Sequence, residues 1–211
     1  ERDTGVRAQM IGIMSRTYDT ETCHRELDAL LAHRDHLVAI DLAGDEVKFP
    51  ASRFQEHFRR ARDAGLEVTV HAGEADGPES VWSAIRELGA SRIGHGIHSL
   101  RDPALVEYLA EHRIGLEVNI TSNIHTGIVD EYANHPVREI FEKGLLANLN
   151  TDDPAISGID LRHEYENAAA AAGLSSQMTR QSQVNALEMA FLAPHEKERL
   201  SRQKAGSKTC N

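Results

Sequence analysis

The sequence predicts an α/β fold of the (β/α)8 TIM-barrel class. Three observations lead there. Short apolar runs begin near residues 9, 37, 66, 92, 114 and 145, and steps of 22 to 31 residues suit repeated β-α units feeding a parallel sheet. Stretches with helical spacing fill the intervals. Polar residues stand at the C-terminal ends of successive runs, at Asp41, His71, His95, Asn119 and Asp152, where a barrel carries its chemistry. A doubly wound open sheet is the alternative. It would gather such residues at one switch point and usually bring a glycine-rich phosphate loop, and neither G-x-G-x-x-G nor a Walker motif occurs.

The elements follow in order. Residues 9–14 are an apolar run ending at Ser15-Arg16, a first strand. Asp19 or Thr20 can cap a helix through about Ala32, with Leu27, Leu30 and Leu31 on one face. Residues 37–41 form a strand that is apolar until its terminal acid, and the loop 42–46 follows. Ser52 and Gln55 have capping-box spacing and open a helix with Phe54, Phe58 and Ala61 on one stripe, stopped by Gly65. Leu66, Val68 and Val70 alternate with polar residues in a strand that ends on His71. Pro78 opens a helix whose apolar side is Val81, Trp82, Ile85 and Leu88, with Gly89 after it. Residues 92–96 are a very short strand ending on a second histidine, and Asp102-Pro103 starts a helix to about His112. Residues 114–118 are a strand, and 119–126 read as a polar loop. Pro136 starts a helix that Gly144 ends, and the last strand, 145–150, runs into Thr151-Asp152-Asp153-Pro154. Helices at 161–172, 176–192 and 194–204 come last, ahead of a polar tail at 207–211 that reads as disordered. No Pro/Gly/Ser-rich stretch divides the chain, so residues 1–211 are expected to form a single barrel domain.

Composition narrows the class. With 40% hydrophobic and 27% charged residues, 211 residues can bury a sizeable core. A net charge of −10 with no basic stripe argues against a nucleic-acid surface, though not against a nucleoside substrate. Cys23 and Cys210 are far apart and offer no disulfide framework or paired-thiol metal motif, which points to a reducing, cytoplasmic setting. No run approaches the ~20 apolar residues of a membrane span. The first residues do not look like a signal peptide, and the absence of an initiator Met suggests that the natural chain starts earlier.

His71, Glu74, His95 and Asp152 would face one mouth if the sheet curves into a barrel. Histidine is the commonest metal ligand, a strand-end Asp can complete such a site, and a nearby acid can hand a proton to substrate. The set therefore reads as metal-assisted hydrolysis. No G-x-S-x-G elbow supports a serine hydrolase, and neither cysteine is placed for catalysis. His24, His33, His36, His57, His112 and His163 read as solvated positions on or beside helices; His98, His125 and His135 read as loop residues and His195 as surface. Arg59, Arg60 and Arg62 read as an ordinary exposed helix face, and the loop acids Asp45 and Glu46 are given no role.

Five blocks carry a resemblance: Asp41-Leu42-Ala43-Gly44-Asp45-Glu46, His71-Ala72-Gly73-Glu74, Arg92-Ile93-Gly94-His95-Gly96, Thr121-Ser122-Asn123 and Asn150-Thr151-Asp152-Asp153-Pro154. In this order and at these distances they resemble the bacterial-type adenosine deaminases of the metal-dependent hydrolase superfamily. The resemblance implies a (β/α)8 barrel with one zinc ion at its mouth. It makes His71 and Asp152 zinc ligands. Glu74 would protonate purine N1, and His95 would orient the attacking hydroxide as base or electrostatic stabiliser. The Gly44 N–H would meet purine N3, and Asp153 would bind N7. Attack at C6 would expel ammonia and turn adenosine or 2'-deoxyadenosine into inosine or deoxyinosine, a purine-salvage reaction. Cytidine-type zinc deaminases need a P-C-x-x-C pair that does not occur.

Two departures bear on this. The family often has a cysteine where this chain has Asn119. It also carries a His-x-His pair at the end of its first strand, giving two more zinc ligands, and no His-x-His occurs here. Aligned on the motifs, the run at 9–14 becomes the family's third strand. The expectation is a partial barrel, about strands 3–8 with extra C-terminal helices, N-terminally incomplete. The missing segment could be a separate piece and thus a partner. Two alternatives stay open: another purine deaminase of adenine or AMP type, or an inactive truncated scaffold or binding fragment.

Overall fold

A computed structural model describes residues 6–206; Cys210, the tail at 207–211 and the first five residues lie outside the described residues. Six strands appear where the apolar runs predict them: β1 (Met10–Ser15), β2 (Leu37–Ala43), β3 (Glu67–Ala72), β4 (Arg92–His95), β5 (Gly115–Val118) and β6 (Ala147–Leu149). They form one sheet in the order β1-β2-β3-β4-β5-β6, and every pairing is parallel. Each strand lies beside its sequence neighbour, so the order never reverses. That excludes the doubly wound alternative and leaves an arc of a (β/α) barrel.

Helices pack on the outside of the arc. α1 (Thr20–Ala32) starts where Asp19 accepts from the Thr22 N–H at 2.7 Å, so the predicted cap forms. α2 (Gln55–Asp63) presents Phe58 and Ala61 to the core, beside Phe54. α3 (Pro78–Ser83) runs into a π turn (Ala84–Leu88) and buries Val81, Ile85 and Leu88. α4 (Pro103–Glu111) is capped by Asp102. The core lies between these helices and the strand residues Ile40, Leu42, Val68, Val70, Ile93 and Leu116.

Several local expectations need correction. Residues 119–126 are not a loop: Ile120–His125 is helical and becomes α5. Its polar Thr121, Ser122 and Asn123 are buried and turned inward, so polarity there does not mean solvent. The Ser52 capping box does not form, because a tight turn (Ala51–Phe54) begun by Pro50 takes that residue inside it. His57 is not solvated. It is buried, stacks on the His24 ring at 3.8 Å and lies 3.1 Å from the Thr20 carbonyl through Nε2.

After β5 come α6 (Val137–Glu142), α7 (Pro154–Ser157), and a run of α8 (Leu161–His163), a π turn (Glu164–Ala168) and α9 (Ala169–Ala171). α10 (Ser176–Met189) and α11 (Pro194–Gly206) follow. None of the described helices is long and apolar enough to cross a membrane. The two edges of the sheet differ. Among the described residues β1 is an uncovered edge, with Met10 and Ile13 each 56% exposed. β6 is covered by α10: Ser182 Oγ accepts from the Leu149 N–H at 2.9 Å, and Asn185 donates to the Ala147 carbonyl at 2.7 Å.

Candidate active site

The C-terminal ends of β2 to β6 bring the sequence-predicted residues to one rim. His71 lies at the end of β3, and its Nδ1 is 2.8 Å from Asp41 Oδ2 at the end of β2, an ion-pair contact whose N–H is not aligned as a hydrogen bond. The Nδ1 side is thus occupied, and Nε2 is the nitrogen left for another partner. The His71 carbonyl accepts from the guanidinium of buried Arg16 at 2.6 Å, which also reaches the Leu42 carbonyl. Beneath the rim, Arg16 therefore joins the ends of three strands.

The chain then turns sharply. Gly73 has φ +65°, and a Cβ there would meet Val81 Cγ2 at 2.5 Å, so only glycine fits. The next amides converge on Glu46, a residue 4% exposed. Its carboxylate accepts from the N–H groups of Gly73 (2.9 Å), Glu74 (2.9 Å), Ala75 and Asp76 (2.6 Å), and from Ser80 Oγ (2.8 Å). His98 holds the same loop from the other side, with its backbone N–H on the Gly73 carbonyl and its ring Nδ1 2.8 Å from the Asp76 carbonyl. This network aims the Glu74 side chain, whose Oε1 accepts from Asn123 Nδ2 at 2.9 Å.

His95 ends β4 and Asp152 follows β6. Both have left-handed backbones, φ 61° and 55°, a strained conformation for residues with a Cβ. Asp152 Oδ2 accepts from Ser122 Oγ at 2.7 Å and lies 3.8 Å from His95 Nε2. His71, His95 and Asp152 each offer a ligand atom within 4.8 Å of the others. Two imidazoles and a carboxylate are a donor set of the kind zinc takes. Gly44 (φ +106°) is exposed beside this rim, where a Cβ would press on Thr17 Oγ1 at 2.5 Å, and its N–H meets no acceptor among the described residues. Asp153 is exposed at the start of α7.

The electrostatics divide the roles. Burial pushes the Glu74 carboxyl up, the His71 cation opposes this, and the Asp152 and Glu46 carboxylates add to it; the pKa reaches about 7. Burial and the neighbouring His71 cation push His95 down to about 4, so its ring is neutral. Burial alone would lower His71, but Asp41 outweighs it and holds the pKa at about 9.

Some of these residues carried no functional expectation from sequence. Glu46, a loop acid with no role expected from the sequence, is buried under the 73–76 turn. His135, which the sequence places in a loop, is 3% exposed and contacts Asn123. Nothing in the sequence alone singles out a role for Arg16, Ser122 or Asn123. The one available signal was that Glu46, Ser122 and Asn123 fall inside the five blocks.

Comparison with known proteins bears on this arrangement. The family model described as adenosine deaminase matches residues 1–204. An adenosine deaminase of Vibrio cholerae is 58% identical over 199 residues, covering 94% of this chain and 60% of the relative. Among solved structures, an adenine deaminase from Arthrobacter aurescens superposes with a TM-score of 0.89 at 30% identity, over 94% of this chain and 61% of that one. An amidohydrolase from Burkholderia ambifaria with bound Zn superposes with a TM-score of 0.88 at 25% identity, over 98% and 58%. The chain thus spans about 60% of the length of the curated relatives it matches.

Proposed function

The chain belongs to the adenosine deaminase family, and from that premise we propose that it forms the larger part of a zinc-dependent deaminase of adenosine and 2'-deoxyadenosine. The products are inosine or deoxyinosine and ammonia, with water as the second substrate. The observation that carries this reading is Glu74: a carboxyl on a fixed loop, raised to about 7, beside a His-His-Asp cluster. An acid with that pKa holds its proton in a large fraction of molecules at neutral pH and can deliver it to a ring nitrogen.

The residue roles follow. His71, through Nε2 once it gives up its proton, and Asp152 would hold the zinc, and two further ligands would come from outside residues 1–211. Zinc, when bound, supplies a Lewis acid that makes water a nucleophile near neutral pH. Glu74 protonates purine N1, so attack at C6 does not load negative charge onto the ring. Neutral His95 orients the attacking oxygen. The free Gly44 N–H donates to purine N3, and Asp153 meets N7. Residues 1–211 act as one catalytic unit, completed by an N-terminal segment that would cover the apolar edge of β1. A buried free thiol at Cys23 suits a reducing, cytoplasmic setting.

Metal analysis and steady-state rates of the polypeptide carrying this chain test the proposal. Zinc at one per chain and turnover of adenosine are expected, and Glu74→Gln should keep the metal while losing about 10²- to 10⁴-fold in kcat. A metal-free, inactive polypeptide would leave a binding fragment as the reading. The likeness to an adenine deaminase supports a second reading, and a preference for adenine over adenosine would establish it.

A further inference from the structure

Behind Glu74 and His95 lies a short series of hydrogen bonds whose direction can be worked out from one end. The Val137 N–H can only donate, and it points at His135 Nδ1 at 3.1 Å. Nδ1 is therefore the acceptor nitrogen of a neutral ring, and the ring hydrogen sits on Nε2. Burial keeps His135 neutral, with its pKa lowered to about 4. Nε2 then donates to Asn123 Oδ1 at 3.1 Å.

That bond settles the Asn123 amide. Its oxygen faces His135, so its NH2 group faces the site. One N–H reaches Glu74 Oε1 at 2.9 Å and the other His95 Nδ1 at 3.0 Å. The flipped amide would set its NH2 against the His135 Nε2–H, donor against donor, so the bond from His135 decides the orientation. Asn119 gives no competing direction: its Nδ2 is 3.4 Å from both nitrogens of His95 and bonds the Glu117 carbonyl at 3.1 Å.

We infer that His135, acting through Asn123, is a positioning residue of this site: it fixes which oxygen of Glu74 carries the proton and which nitrogen of His95 carries its own. Oε1 and Nδ1 are acceptors by construction. The proton of the neutral acid sits on Oε2, and the His95 hydrogen sits on Nε2, on the side of Asp152. An Nε2 that carries hydrogen donates rather than ligates. This separates His95 from His71 within the cluster of three possible metal ligands. His71 turns its Nδ1 to Asp41, and His95 has its N–H on the side of Asp152. The inference deepens the proposed deaminase reading and rests on it for its catalytic consequence, though not for the tautomers.

Two substitutions at His135 separate positioning from packing. His135→Gln keeps a donor near the Nε2 position, whereas His135→Asn keeps an acceptor near Nδ1 and loses the donor. Both would be made in the polypeptide carrying this chain, with histidine ¹⁵N labelling and long-range proton–nitrogen correlation to read the tautomers. In the unaltered protein His135 and His95 should both show the Nε2–H pattern. His135→Asn should convert the His95 signals to a mixture and lower kcat about 10- to 100-fold with KM nearly unchanged, the size usual for groups that orient a site. His135→Gln should restore the His95 pattern and most of kcat. A Nδ1–H pattern at His95 in the unaltered protein overturns the inference, as do equal losses in the two variants or an unchanged kcat in His135→Asn. If the tautomers respond as stated while no form deaminates adenosine, the positioning relay stands and the deaminase reading fails.

Discussion

The ends of β3 and β6 both bring a carboxylate to the rim, and they hold it in opposite ways. After β3, residues 71–76 are fixed by Glu46 on four amides, Arg16 on the His71 carbonyl, Asp41 at the His71 ring, His98 on two atoms of the loop, and Asn123 on Glu74 itself. After β6, the Asp152 side chain accepts a single hydrogen bond among the described residues, from Ser122, and Asp153 is exposed. The difference suits the roles proposed for the two carboxylates, proton donor for Glu74 and metal ligand for Asp152. A proton donor gets its orientation and its pKa only from the protein around it. A carboxylate that ligates a metal can be drawn into place by the ion, so the fold can leave Asp152 lightly held even though it holds His71 firmly.

The largest effect should come from removing the anchor of the β3 side. Glu46→Gln replaces an all-acceptor carboxylate by a group with one oxygen and an NH2 facing amide donors. Each amide N–H left unpaired there costs about 1–3 kcal/mol, so losses at two of them should appear as a clear fall in the denaturation midpoint. Amide exchange at 73–76 should quicken by the same free energy, while exchange at 150–153 stays as it was. Equal loosening of both ends would break the contrast drawn between them.

The next effect is a pH dependence. The Glu74 carboxyl is raised from its ordinary value of 4.5 to about 7, chiefly by burial. In the metal-free protein the folded state therefore keeps a proton that the unfolded chain releases. Stability is full below pH 4.5 and is lost as pH rises through about 7. Glu74→Gln should match the unaltered protein at pH 4 and exceed it by up to about 3 kcal/mol at pH 8. Urea titrations at the two pH values check the sign, and a variant less stable at pH 8 would refute it.

The smallest effect belongs to the β6 side. Ser122→Ala removes the hydrogen bond from Ser122 to Asp152, and about 1 kcal/mol is expected in the same titrations. A larger loss would mean that Asp152 is not lightly held.

Much of the frame was legible in the sequence because strand ends are local features. The alternation at Leu66, Val68 and Val70 places His71, and the five blocks point to the family whose model matches the chain. What escaped was residue environment. Glu46 reads as half of an exposed acidic pair because its amide partners lie 27 to 30 residues away and meet it only across the barrel rim. Thr121, Ser122 and Asn123 read as a loop because polar side chains usually seek water, and here they seek the site. His135 gave no sign at all, since its value depends on one backbone N–H and one amide oxygen brought to it by α5 and α6.

The left-handed backbones at His95 and Asp152 also affect how the sequence can drift. Glycine would relax either residue, and a relaxed position is worth about 1 kcal/mol. A selection that rewarded heat resistance alone would find those exchanges early, and each would delete a side chain from the rim. Stabilising this chain by blind improvement would thus strip two side chains from the proposed site, and a useful library should hold both codons fixed.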